Sequence, residues 1–190
     1  MKVATCLMAL LAAGTLGSAQ ARTCHGVEFA ERAQVNGADL VLNGLGMRKA
    51  TFLKVNVYVA ALYVPHPSHD AQPLLDPNTP AELVLHFVRG VGVGDLRKAW
   101  GEGFEKTAAS QLPALSTRIA TLSGWMSDVK SGQQLVFVRQ PGAGIQVSVD
   151  GLTKGTIPGA DFARAFLAIW LGPEPPNPEL RSGLLGGTCD

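Results

Sequence analysis

Hydrophobic and polar positions alternate most clearly between residues 40 and 64, where two strand patterns follow one another. After Thr51 the side chains divide between two faces of the second strand. One face carries Val55, Val57, Val59, Ala61 and Tyr63, and the other carries Asn56, Tyr58, Ala60, Leu62 and Val64. Because both faces are largely apolar, the pattern predicts a strand that is covered on both sides.

The first of the two strands holds a cation among apolar residues. Alternation places on one face Leu40, Leu42, Gly44, Gly46 and Arg48. Since the two glycines have no side chains, we expect a hollow beside the Arg48 guanidinium, and this hollow is a candidate ligand site.

A buried arginine needs a counter-group, because an unpaired charge in the interior is costly. One interpretation is an internal ion pair with Glu82, Asp95 or Glu102. The other is a clamp for a ligand carboxylate, phenolate or polarised carbonyl, which the planar guanidinium binds with two parallel hydrogen bonds. The residues alone leave both interpretations open.

The remaining periodicity predicts strands first, then two helices, a hairpin and further helices. Strand patterns cover 27–30, 81–88, 134–139 and 145–150, and helical patterns cover about 95–110, 113–129, 161–171 and 178–186. Residues 65–80 contain several prolines and are predicted to be a surface connection. This order indicates an α+β fold with one large antiparallel sheet covered on one face by helices.

Composition and the N-terminus indicate a single exported domain. The chain has 190 residues, of which 46% are hydrophobic, enough for one core. Lys2 precedes an apolar run at 3–16 that is too short to span a membrane, and Ala19 and Ala21 form an A-x-A cleavage site. We therefore predict a signal peptide at 1–21, a domain at 22–190, a periplasmic or secreted location and no integral membrane segment after cleavage.

The cysteines agree with export, and the charge balance bears on nucleic-acid binding. Cys6 lies in the predicted signal peptide, and Cys24 and Cys189 are expected to pair in a disulfide. Arg22 stands where a lipoprotein signal requires a small residue, which disfavours lipid attachment to Cys24. Without Lys2, basic and acidic residues are equal in number, so an electrostatic nucleic-acid surface is not expected.

No catalytic or cofactor motif stands out. His66 and His69 lie in a proline-flanked loop and are more typical of solvated surface than of a metal pair, and no metal or cofactor is predicted. The Tyr58 hydroxyl needs a partner if it is buried. That partner is either the backbone of a packed core or a ligand.

Several motifs together resemble the chalcone isomerase superfamily, most closely its exported bacterial branch. They are GLGMR at 44–48, VYVAALY at 57–63, LHFVR at 85–89, DLRKAWGEGF at 95–104 and FLAIWLG at 166–172. The resemblance covers nearly all of the mature chain. It implies an open-faced β-sandwich, with a large antiparallel sheet covered on one face by helices and a cleft between the two layers.

The resemblance also implies roles for particular residues. In the plant enzymes a strand arginine polarises the substrate during ring closure, and Arg48 matches it. The catalytic threonine falls at Tyr58, a catalytic tyrosine at about Leu96 and an asparagine at about Gly103, so only the arginine is retained. Fatty-acid-binding relatives hold a carboxylate with an arginine and a tyrosine; Arg48 is similar to that arginine, and Tyr58 is a partner by position.

The sequence therefore predicts a non-catalytic, exported protein that binds a small amphipathic or carboxylate ligand, such as a fatty acid, through Arg48 and Tyr58. One alternative is an isomerase or lyase acting on a chalcone-like or enone substrate, with Arg48 as the electrophile. Another is an envelope protein that binds a partner and in which Arg48 is structural. Whether the cleft is open depends on Trp100, Phe104 and Trp125, which are large enough to fill it.

Overall fold

The computed structural model describes residues 20–50 and 53–189, so the predicted signal peptide lies almost wholly outside the described residues. The described strands are β1 Ala21–Cys24, β2 Val27–Ala30, β3 Arg32–Val35, β4 Ala38–Ala50, β5 Val55–Val64, β6 Ala81–Phe87, β7 Gln134–Gln140, β8 Gly144–Val149 and β9 Leu152–Ile157. The described helices are α1 Ala71–Leu74, α2 Val93–Ala108, α3 Leu112–Trp125, α4 Ala160–Leu171 and α5 Pro178–Leu184. A single 3-10 turn at Ala109–Gln111 joins α2 to α3.

In this part of the chain, strands β3 to β9 form one seven-stranded antiparallel sheet in chain order. Helices α2, α4 and α5 pack on one face, where they share a core with the inward side chains of β5 to β8. The β1–β2 hairpin covers part of the other face, and Phe29 packs there against a second core that includes Met47 and Val59. The predicted α+β architecture is confirmed, and the face opposite the helices is also partly covered.

From Tyr58 to Val64 the two faces of β5 divide as its alternation predicts, whereas Val57 packs with Tyr58 on the helix side, next to a register shift between Arg48 and Lys49. Tyr58, Ala60, Leu62 and Val64 belong to the core under the helices. Val59, Ala61 and Tyr63 belong to the core on the opposite face. Period-two alternation is therefore unbroken through the centre of this strand.

The predicted common face of β4 is wrong, because a β-bulge interrupts the strand. The pairing with β5 shifts between Leu42 and Gly44, which leaves Asn43 as the extra residue. Leu40 and Leu42 consequently pack in the core opposite the helices, whereas Gly44 faces α5. The buried Asn43 amide bridges Ser68 and α5, since it donates to the Ser68 and Leu184 carbonyls at 3.1 and 2.6 Å and accepts from the Ser68 N–H at 2.6 Å.

The hollow expected at the two β4 glycines is occupied by α5. A Cβ atom on Gly44 would overlap the Gly183 carbonyl, and one on Gly46 would overlap the Leu180 carbonyl. Gly183 makes the reciprocal approach to the Leu45 carbonyl. The glycines thus allow backbone-to-backbone packing of a helix on a strand, and the ligand site cannot lie on them.

Several predicted boundaries also differ. Helix α2 begins two residues before Asp95, with Gly92 as its N-cap, and Asp95 lies in the first turn. The connection at 65–80 contains the short helix α1, which is capped by the Asp70 side chain. Strands β1 and β3 have four residues each, too few for alternation to distinguish them from a loop. No described helix is long and apolar enough to cross a membrane.

The predicted disulfide is present. Cys24 and Cys189 are bonded, with their Cα atoms 5.9 Å apart and a sequence separation of 165. The bond joins the end of β1 to the segment that follows α5. The His69 imidazole also holds this segment, through a 2.6 Å hydrogen bond between Nδ1 and the Leu185 carbonyl oxygen.

We expect Gly44→Ala to destabilise the fold, because the added methyl group overlaps the α5 backbone. Overpacking of this kind typically costs about 1–3 kcal/mol of unfolding free energy. Gly101→Ala is the matched control, since a Cβ atom at this α2 position meets nothing within 4 Å, and it should stabilise the helix by up to about 1 kcal/mol. Urea unfolding measures both; a Gly44→Ala protein as stable as wild type would contradict the close packing of α5.

We expect the paired change Cys24→Ser and Cys189→Ser to lower the free energy of unfolding by about 2–5 kcal/mol, because the unfolded chain regains the freedom of a long loop. Denaturant unfolding of the oxidised protein, with and without reductant, provides the measurement. Reductant should lower wild-type stability and leave the double variant unchanged. Equal stability of reduced and oxidised wild type would show that the bond contributes nothing.

Candidate functional site

A cavity of about 680 Å³ lies between the sheet and the helices, beyond the N-terminal end of α5. Strands β4, β5 and β6 form its floor, and α2 and α4 form its walls. Its lining includes one cation, one phenol and two indole rings among apolar side chains: Arg48, Tyr58, Leu85, Phe87, Leu96, Trp100 and Trp170. The location agrees with the cleft that the resemblance implies.

Arg48 and Tyr58 lie next to each other at this cavity. They are directly opposed in the antiparallel pairing of β4 and β5, so their side chains share a face. Arg48 is half-buried, and its Nη1 donates to the neighbouring Lys49 carbonyl. The two residues singled out from the sequence are therefore brought together.

No ion pair with Arg48 occurs among residues 20–50 and 53–189. Of the three acids considered as partners, Asp95 and Glu102 line the same cavity. Glu82 instead stands opposite Tyr63 in the register of β5 and β6, so its side chain lies on the other face of the sheet. The structure thus shows a guanidinium at the cavity without a carboxylate bound to it in the described part of the chain.

Tyr58 is held by the helix layer. Its side chain is only 9% exposed, and its ring packs edge-on against Phe87 with the centroids 5.4 Å apart. Trp170 on α4 donates its indole N–H to the Tyr58 hydroxyl oxygen at 3.0 Å. Burial raises the pKa of Tyr58, against smaller opposing effects of the Trp170 hydrogen bond and the Arg48 charge. The phenol is therefore protonated at neutral pH and can donate a hydrogen bond.

The two α2 positions to which the resemblance assigns the catalytic tyrosine and asparagine of the plant enzymes also lie at the cavity. Leu96 and Gly103 are on α2 and line it, but neither has a polar side-chain atom. The Gly103 position could take no larger residue without movement, because a Cβ atom there would lie 3.0 Å from the Ile169 side chain. The cavity is therefore lined at these two positions without a side chain that could move a proton.

The aromatic residues that could have filled the cleft do not close it. Trp100 forms part of the wall and contacts Phe137, Phe166 and Trp170, with ring centroids 5.7, 5.9 and 5.7 Å away. Phe104 packs in the core on Phe162 at 5.3 Å. Trp125 lies against Gly155 instead, outside the lining of the cavity.

The rim of the cavity has mixed charge. Basic side chains come from Arg89, Lys98 and Lys106, and acidic ones from Asp95, Glu102 and Glu174. Lys98 and Glu102 form an exposed pair at 3.8 Å on successive turns of α2. With Arg48 included, cations outnumber acids by one, which favours an anionic group at the mouth by a small margin.

Trp170 is a cavity residue whose role as the hydrogen-bond partner of Tyr58 the sequence did not reveal. Its helical spacing puts it on the apolar side of α4, and it is buried there. Its partner, however, is 112 residues away, and no local pattern reports a hydrogen bond over that separation. The FLAIWLG motif at 166–172 was the one available signal, since it marked this segment as part of the family likeness.

The comparisons with known proteins agree with this geometry. A family model described as chalcone isomerase-like matches residues 21–186. The chain belongs to the chalcone isomerase-like family. A crystal structure of an Arabidopsis thaliana fatty-acid binding protein is similar, with a TM-score of 0.69 and 17% identity, over 87% of this chain and 96% of that one. Among curated proteins, none matches the chain.

We expect Tyr58→Phe to lower the free energy of unfolding by about 1–3 kcal/mol, because it leaves the buried Trp170 N–H without its acceptor. In a Trp170→Phe background the same change should cost less, since the donor is already gone. Urea unfolding of the wild type, the two single variants and the double variant measures this coupling. Additive effects would show that the two side chains do not interact.

Proposed function

We propose that this chalcone isomerase-like protein is a binder of a small amphipathic carboxylate, with a fatty acid as the first choice, and that it does not catalyse ring closure. The observation that carries the proposal is the pairing of Arg48 and Tyr58 at one cavity between the sheet and the helices. The cavity volume of about 680 Å³ falls within the range of small-molecule sites.

The head group would lie at Arg48 and Tyr58. A guanidinium binds a carboxylate in a bidentate, charge-assisted arrangement, and a protonated phenol can add a third hydrogen bond. The family likeness supports the same arrangement, and the structurally similar Arabidopsis protein is named a fatty-acid binding protein. An apolar tail would lie along Leu85, Phe87 and Leu96, where its burial contributes roughly 0.8 kcal/mol per CH₂ group.

The residues that line the cavity support binding over catalysis. Ring closure in the plant enzymes relies on polar groups where this chain has Leu96 and Gly103. Neither position carries a polar side-chain atom that could order water or move a proton, and Leu96 adds apolar surface for a tail. Arg48 is therefore proposed as a holder of the ligand and not as an electrophile.

An exported location is part of the proposal. The N-terminal segment has the features of a signal peptide that is cleaved after Ala21. The bond between Cys24 and Cys189 adds support, because disulfides persist mainly in oxidising compartments such as the periplasm.

Mass spectrometry of lipids that co-purify with the mature protein tests the proposal. Wild type should carry a carboxylic acid, and Arg48→Ala should lose at least about nine-tenths of it, because a charge-assisted contact is worth about 1.5–3 kcal/mol. Arg97→Ala is the matched control, since this α2 arginine does not line the cavity and bonds the Ser123 carbonyl; it should keep the ligand.

Three results would overturn the proposal. Full retention of the acid by Arg48→Ala would remove the arginine from the site. An empty cavity with turnover of a chalcone by wild type would favour the isomerase interpretation. Unfolding of Arg48→Ala, together with an empty wild-type cavity, would favour a partner-binding protein with a structural Arg48.

A further inference from the structure

We propose that Trp170 is a positioning residue that fixes the Tyr58 hydroxyl as a hydrogen-bond donor, so that the polar end of the cavity selects a head group that only accepts, an ionised carboxylate, over an alcohol or an amide. This inference rests on the proposed function and adds the basis of its head-group selectivity. It follows from which groups around Tyr58 are able to donate and which are able to accept.

The direction of the bond between Trp170 and Tyr58 follows from chemistry. An indole N–H can donate but cannot accept, so in the 3.0 Å contact the Tyr58 oxygen must be the acceptor. Trp170 is 1% exposed, and water therefore does not compete for its N–H. The Tyr58 proton must then point away from the indole, towards another acceptor.

No described residue accepts this proton. Among the hydrogen bonds of residues 20–50 and 53–189, the Tyr58 hydroxyl takes part only in the one from Trp170. The neighbouring Arg48 carries donors alone. Trp100, which lines the same cavity and is 4% exposed, has an indole N–H without a partner in the described part of the chain.

The groups that Tyr58, Arg48 and Trp100 have available for a ligand are therefore hydrogen-bond donors. A carboxylate presents only acceptor lone pairs and satisfies such a set completely. An alcohol or a primary amide brings its own O–H or N–H, which would face a donor and remain unsatisfied, and an unsatisfied buried donor is costly. If Trp170 did not occupy the Tyr58 oxygen, this hydroxyl could reverse and accept from such a ligand.

Binding of three probes with the same twelve-carbon tail tests the inference: dodecanoate, dodecanol and dodecanamide. Delipidated wild type should prefer dodecanoate, and Trp170→Phe should reduce the preference over the alcohol and the amide by about fivefold, the value of one net hydrogen bond. Trp125→Phe is the matched control, since Trp125 packs on Gly155 away from the cavity, and it should keep the wild-type preference.

NMR of the indole N–H groups supplies a readout that a purely structural role would not move. The chain has three tryptophans, so three signals can be assigned by substitution. Dodecanoate should shift the Trp170 signal downfield in wild type, because a Tyr58 hydroxyl that donates to the carboxylate becomes a stronger acceptor. In Tyr58→Phe this downfield shift should be absent, and the Trp125 signal should not respond in either protein.

These experiments distinguish a failure of the proposed function from a failure of the inference about Trp170. If none of the three probes binds wild type, the proposed function fails and the inference fails with it. If all three bind wild type equally, or if Trp170→Phe weakens them all by the same factor, the inference alone fails, and Trp170 serves only to support the wall of the cavity.

Discussion

The structure depends on the close approach of helix α5 to strand β4. Gly44 and Gly46 remove the side chains that would keep the helix away, and Gly183 does the same from the helix. Asn177 then fixes the start of α5, since its side chain bonds both the Met47 carbonyl and the Lys49 N–H. The helix therefore covers the first part of β4 and begins beside Arg48, which leaves the end of the strand free to line a cavity.

The faces of β4 and β5 show what could be predicted from the sequence and what could not. Alternation in β5 assigned its faces correctly from Tyr58 to Val64, where the pairing is regular, but not at Val57, where the register with β4 shifts. In β4 the same reasoning failed at Asn43, since one inserted residue exchanges the faces of all that follow. The bulge is stabilised by contacts with Ser68 and Leu184, which are distant in sequence, so no local pattern announces it.

The glycines show a related ambiguity. A missing side chain on a strand indicates that something approaches closely, but it does not say whether this is a ligand or another part of the backbone. Here the approach is made by α5, and the candidate ligand site lies beyond it. Arg48 and Tyr58 nevertheless lie side by side at this cavity, and both stand out in the sequence because a cation and a phenol in an apolar strand pair have few purely local explanations.

The polarity of the site could not be predicted in the same way. Whether a tyrosine hydroxyl donates or accepts depends on its nearest partner, and the partner of Tyr58 comes from a helix 112 residues later. Trp170 belongs by spacing to the apolar stripe of α4 and by contact to the ring cluster around Trp100 and Phe166. Only the folded arrangement reveals that its one polar atom points at the cavity residue.

Helices α2 and α4 contribute different chemistry to the cavity. On α2, Leu96 and Gly103 line the cavity and carry no polar side-chain atom. On α4, Trp170 contributes a hydrogen bond that orients a hydroxyl without offering a group that can exchange a proton at neutral pH. The Tyr58 hydroxyl and the Arg48 guanidinium at the polar end of the cavity can both donate to a negative head group, which is the arrangement that the proposed binding of a carboxylate requires.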